Sequence, residues 1–168
     1  MQLAVVCANG KAGKMIVREA VGRGLDVTAV VRGENSSEAP QAISKDLFDL
    51  TADDLKGFDV VVDAFGAWTE DTLPQHSTSL MHLCDILSGT PTRLLVVGGA
   101  GSLYTNPEHT AQVMDGPDFP DAFKPLAKAQ GEALEKLRMR KDVKWTFVRG
   151  ISRPMDSGRE PICWEERN

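Results

Sequence analysis

The chain has 168 residues, 42% hydrophobic and 26% charged, with a formal net charge of −5. That is enough for one domain burying roughly 70% of its unfolded surface. An acidic balance with no basic run argues against nucleic acid as a partner, and no apolar stretch approaches a membrane span or a signal-peptide core. Three widely spaced cysteines, Cys7, Cys84 and Cys163, fit neither a disulfide framework nor a zinc site, so a reduced, cytoplasmic protein is expected.

Leu3 to Val6 is an apolar run that reads as a buried strand. It breaks at a tight turn holding Gly10 and Gly13 and passes into a helical pattern, Lys11 to Arg23, closed by Gly24. A second strand spans Asp26 to Val31, followed by a polar loop from Gly33 to Gln41 and a short strand, Ala42 to Lys45. Thr51 is placed to cap a short helix through Asp54 and Leu55. Val60 to Asp63 is the next strand, and Leu73 to Leu87 reads as a helix with Leu80, Leu83, Cys84 and Leu87 on one face. Arg93 to Val97 is another buried strand. Ser102 to Pro120, with its prolines and no clean period, reads as a long loop. Asp121 to Arg140 is helical, with Leu126, Ala129, Ala133, Leu134 and Leu137 inward, and Val143 to Val148 is a last strand. Strands alternating with helices predict a doubly wound parallel α/β sheet.

Ligands of such sheets bind outside the carboxyl ends of the strands. The turn Cys7-Ala-Asn-Gly-Lys-Ala-Gly13 lies there, spaced G-x-x-G-x-x-G with cysteine at the first glycine position. Strand, glycine turn and helix start together gather unpaired N–H groups and the positive end of the helix dipole, a cradle for a pyrophosphate. Cys7, Asn9, Gly10, Lys11, Ala12 and Gly13 are the candidate contacts, against the alternative of a turn with no ligand. A mononucleotide P-loop is excluded, because Ala8 stands where its first glycine belongs and Met15 replaces its magnesium-binding hydroxyl.

Arg32 ends the second strand, where NAD-selective sites carry an acid. A guanidinium there favours a 2′-phosphate, hence NADP over NAD, unless it is a solvated loop residue. Asp46 and Leu47 would face the adenine, although Asp46 reads equally as a loop or cap acid. Ala64, Phe65 and Gly66 close a strand beside the cofactor or form a structural turn. Gly98 and Gly99 suit close approach of a nicotinamide. Ser102, Tyr104 and His109 are candidates for polarising a substrate carbonyl, or loop residues serving their own backbone. His76, His82 and His109 lack a metal-ligand spacing.

These segments are similar to the atypical short-chain dehydrogenase/reductase superfamily, in its NmrA-like, NAD(P)H-binding branch. The resemblance covers about residues 1 to 149. It rests on C-A-N-G-K-A-G, V-V-R-G, D-L-F-D-L, V-V-D-A-F-G-A-W, L-L-V-V-G-G-A-G-S-L-Y and F-K-P-L-A-K-A-Q-G-E. It implies a Rossmann fold binding NADP or NAD, among quinone and flavin reductases, isoflavone-reductase-like enzymes and redox-sensing regulators. The superfamily's Tyr-x-x-x-Lys couple is not matched. Phe123 stands near the tyrosine position without a phenol to donate a proton, and Lys128 is five residues on.

Residues 150–168 depart from the family pattern. Back-translating Met155 to Asn168 and shifting the frame yields G-Q-R-T-G-A-Y-M-L-G-G-E-K, close to the family's G-x-R-T-G-x-Y-x-L-G-G-E. A frameshifted tail, with the substrate-side lobe missing, is the expectation that follows, beside the plainer reading of a charged, mobile terminus. A sheet edge bared at that end would offer a surface for homodimer pairing. The functional expectation is an NADP-dependent oxidoreductase passing hydride to a small carbonyl, quinone or flavin. A non-catalytic NADP(H) sensor is the alternative.

Overall fold

Alternation along the first strand sets the layering. In a computed structural model that describes residues 1–150 and 162–167, β1 (Gln2–Val6) buries both faces. Leu3 and Val5 join one apolar cluster, Ala4 and Val6 the other, the period-two split of a strand covered on both sides. Helix α1 (Lys11–Gly22) supplies Val17 and Ala20 to the first cluster. Helices α2 (Gln75–Leu87) and α3 (Lys124–Arg138) supply Leu80, Leu83 and Leu87, and Ala133, Leu134 and Leu137, to the second.

The other strands are β2 (Asp26–Val31), β3 (Gln41–Ser44), β4 (Val60–Asp63), β5 (Arg93–Gly99), β6 (Lys144–Gly150) and β7 (Ile162–Arg167). They form one sheet in the order β3-β2-β1-β4-β5-β6-β7. Pairing from β3 through β6 is parallel, with Val6 beside both Val30 and Asp63. The expected doubly wound, Rossmann-type sheet is therefore the one observed, with its strand order reversing between β1 and β4. That reversal is where such sheets open a crevice.

Four local expectations change. First, β7 pairs antiparallel with β6, Ile162 opposite Gly150, so the sheet is not parallel throughout. Second, Thr51 starts a turn rather than a helix. Its N–H and hydroxyl both donate to Asp54 Oδ2 at 2.8 Å, and Gly57, at φ +88°, takes the chain out of helical conformation. Third, α2 begins at Gln75 rather than Leu73, because the preceding residues close separate turns, Leu73 N–H donating to Thr69 O and Gln75 N–H to Thr72 O, and Pro74 has no N–H to give a helical ladder. Fourth, the loop after Ser102 runs on to a 3-10 turn at Asp121–Phe123, so α3 does not begin at Asp121. Tyr104 bridges Gln112, and 3-10 turns lie at Ala100–Ser102 and Val113–Asp115. Helix α3 itself starts at Lys124, with Pro125 in its first turn, where no backbone donor is needed. The shifted-frame reading from Met155 onward falls mainly on residues outside those described.

Candidate functional site

Cys7 leaves β1 at φ 59°, a left-handed conformation for a side-chain-bearing residue. Its carbonyl accepts Gly10 N–H at 2.9 Å, closing the turn. The first intrahelical bond of α1 is Lys14 N–H to Gly10 O at 2.9 Å, and no side chain caps this end. The N–H groups of Lys11, Ala12 and Gly13 thus precede the helix's own ladder and face outward at the positive end of its dipole. Gly13 makes this geometry reachable. A Cβ there would lie 2.4 Å from Cys7 O and 2.7 Å from Ala8 Cα, so only glycine lets the helix start press against the strand end. A cradle that a methyl would fill, lined by unmet amides, suits the diphosphate of a dinucleotide.

Asn9 sits in that turn, but its carboxamide points across to the β2–β3 loop. Nδ2 donates to Glu34 O at 2.9 Å, and Oδ1 accepts Ser36 N–H at 2.8 Å and Ser36 Oγ–H at 2.9 Å. Arg32 leaves β2 solvated, its side chain 85% exposed and its Nε 3.9 Å from Asp46 Oδ2. Asp46 caps the following 3-10 turn by accepting Phe48 N–H at 3.0 Å. Leu47 is buried in the core, leaving its backbone alone to meet a ligand. Arg32 and Asp46 both act electrostatically on the Cys7 thiol, which burial first and the Asp63 carboxyl next push up to about 12. Turn, guanidinium and cap acid therefore share one neighbourhood at the strand ends.

Across the reversal, Asp63 ends β4 buried, accepting Phe65 N–H at 3.0 Å. Burial pushes its carboxyl up to about 6. Ala64 continues the pairing through its N–H to Val6 O at 3.2 Å. Phe65 meets the His76 ring edge-on, with centroids 5.5 Å apart. His76 Nε2 lies 3.0 Å from Ala67 O, and burial lowers its basicity. Asp63, Phe65, His76, Gly98 and Gln130 line a cavity of ≈ 10 Å³, room for about one water. Sequence reasoning did not give His76 or Gln130 a place here, because contacts between distant elements leave no local pattern. Trp68, 73% exposed with its indole Nε1 3.5 Å from where a Cβ on Gly66 would stand, was legible only as part of a family segment.

The glycines that end β5 and Gly101 just past it have a packing reason. A Cβ on Gly98 would strike the Phe147 ring, one on Gly99 the Gln130 carboxamide, and one on Gly101 Ala127 of α3. They let α3 and β6 close on the end of β5. Ser102 is buried, its Oγ without a hydrogen-bond partner among the described residues and its Cβ 3.2 Å from where a Cβ on Gly131 would stand. Tyr104 and His109 lie together in the next loop, ring centroids 4.5 Å apart and 7° from parallel. Asn106 Oδ1 braces that loop by accepting the N–H groups of Thr110 and Ala111 at 3.1 Å. The structure thus gathers Cys7 to Gly13, Arg32, Asp46 and Ala64 to Gly66 at the β1–β4 crevice, and Ser102, Tyr104 and His109 beyond the end of β5. Phe123 is half exposed and Lys128 exposed, with no phenol between them.

Comparison with known proteins agrees with this geometry. A sequence profile of the NAD(P)H-binding family matches residues 7–156. The chain is similar to the YwnB protein of Bacillus subtilis, 42% identical over 151 residues, covering 88% of this chain and 70% of that one. Among solved structures, a Streptococcus pneumoniae protein described as a candidate NADH-flavin reductase is 59% identical, with TM-score 0.85 over 89% of this chain and 71% of that one. A Listeria monocytogenes protein is 37% identical, with TM-score 0.67 over 89% and 78%. With its glycine cradle at the strand reversal and a profile match along most of its length, this chain belongs to the NAD(P)H-binding family.

Proposed function

We propose that this chain is an NADP(H)-dependent oxidoreductase acting on a flavin or quinone. The observation that carries the reading is the α1 start: three outward amides above a glycine that tolerates no side chain. Lys11, Ala12 and Gly13 would hold the diphosphate, and Arg32 the 2′-phosphate. When bound, the coenzyme supplies a hydride to a planar acceptor. The protein's own contribution is orientation and exclusion of water. Phe65 and the exposed Trp68 offer aromatic surface at the crevice, and Tyr104 with His109 form a stacked pair in the loop beyond β5. Flavins and quinones need little proton donation from protein, which accords with Phe123 in place of a tyrosine. The similarity to the Streptococcus protein supports a flavin acceptor.

Titration with NADPH and NADH, followed by Trp68 fluorescence, tests binding; oxidation of bound NADPH on adding flavin mononucleotide or menadione tests turnover. Tight NADPH binding with oxidation is the expected result. Binding without oxidation of either acceptor would replace the enzyme by the non-catalytic sensor, which Phe123 also permits.

A further inference from the structure

The glycine turn and the β2–β3 loop are separate in sequence, and one side chain joins them. Asn9 Nδ2 donates to Glu34 O, while its Oδ1 takes both the N–H and the hydroxyl of Ser36, all within 2.9 Å. Asn9 is exposed, so these bonds are not forced by burial; the carboxamide uses its donor and its acceptor on one short stretch of loop. That stretch begins two residues after Arg32. Its far side is fastened separately, Arg18 Nε of α1 meeting Glu38 Oε1 at 2.8 Å. Within it, Asn35 Oδ1 accepts Ser37 N–H and Asn35 Nδ2 donates to Ala39 O. The loop is internally braced but meets the turn through Asn9.

We propose that Asn9 is a specificity-determining positioning residue, whose carboxamide locks the Arg32–Ser36 loop to the diphosphate turn. The Arg32 side chain is solvated and only loosely paired with Asp46. Its reach to a 2′-phosphate therefore depends on where the backbone beneath it is held. A diphosphate on the α1 amides and a 2′-phosphate at Arg32 belong to one ligand, so a fixed distance between the two anion sites favours the ligand carrying both charges. NADH, which lacks the 2′-phosphate, gains nothing from that fixed distance. This assignment rests on the NADP reading of the site given above.

The test compares dissociation constants of NADPH and NADH for wild type, Asn9→Ala and Ser36→Ala by calorimetry. Asn9→Ala should weaken NADPH about tenfold, the worth of one charge-assisted contact, and leave NADH within about twofold. Ser36→Ala, which removes the hydroxyl arm alone, should shift the ratio in the same direction by less; it also serves if Asn9→Ala does not fold. A merely structural Asn9 would lower the melting temperature and weaken both coenzymes alike. Equal losses, or an unchanged ratio in both variants, overturn the assignment while leaving coenzyme binding intact. Wild type that binds neither coenzyme overturns the functional reading, and this assignment falls with it.

Discussion

Substituting Gly13 by alanine sets a stability effect against a binding effect at one atom. The added Cβ would stand 2.4 Å from Cys7 O, 2.7 Å from Ala8 Cα and 3.0 Å from Ala8 C. All three are backbone atoms, so no side chain can swing aside, and the α1 start must move off β1 by about 0.6 Å or more to reach a tolerable contact. Overpacking of this kind costs about 1–3 kcal/mol, offset by about 1 kcal/mol because alanine is the better helix former. A net loss of up to about 2 kcal/mol corresponds to a fall of up to about 6 °C in Tm for a chain of this size. The same shift displaces the Lys11, Ala12 and Gly13 amides, so coenzyme affinity should drop about tenfold or more. Gly22 provides the control in the same helix, since a Cβ there meets nothing within 4 Å. Gly22→Ala should raise stability by up to about 1 kcal/mol and leave binding unchanged. Urea denaturation and calorimetric titration read both effects. A Gly13→Ala protein as stable as wild type, with undiminished affinity, would show that the turn is not a close-packed cradle.

Other consequences concern charge and packing. Asp63 is protonated more readily folded than unfolded, its pKa raised from 3.8 to about 6 by burial. The native state therefore binds the extra proton, and stability falls as pH rises through that window. Asp63→Asn, which keeps the acceptor for Phe65 N–H, should be more stable than wild type at pH 8 by up to about 3 kcal/mol, and the two should converge below about pH 4; parallel urea curves at the two pH values check this. Gly98→Ala drives a methyl into the Phe147 ring, itself fully buried, and should cost about 1–3 kcal/mol by the same assay. The thiols of Cys7 and Cys84 are both pushed up to about 12, chiefly by burial. In the native protein both should resist iodoacetamide at pH 8, as peptide mapping would reveal; rapid alkylation of Cys7 would mean the turn is far more open than described.

How much of this was readable from the chain varies by element. The β1–turn–α1–β2 unit was legible because its signals are local: an apolar run, two glycines at turn spacing, and a 3.6-residue period ending at Gly24. The α1 start at Lys11 and the limits of β2 agree with that reading. Gly98 and Gly99 show the opposite case. Three glycines after a strand suggested room for a ring, whereas their neighbours are Phe147, Gln130 and Ala127, brought there by tertiary packing that no single segment encodes. Asn9 was read as a diphosphate contact from its place in the turn, yet its carboxamide is spent on Glu34 and Ser36. That destination lies about 25 residues along and follows only from the parallel pairing of β1 with β2. Thr51 was misjudged because a side chain that caps a helix also closes a turn, and Gly57 downstream decided between them. Asp63 was seen at its strand end, but its burial, with no cationic partner among the described residues, depends on what α2 and β5 place above it.

Calorimetric titration of folded protein with NADPH tests the cradle most directly. A single site is expected, binding NADPH more tightly than NADH and weakened about tenfold by Gly13→Ala. No heat from either nucleotide, in a sample whose cooperative melt shows it to be native, would contradict the assignment of the α1 amides.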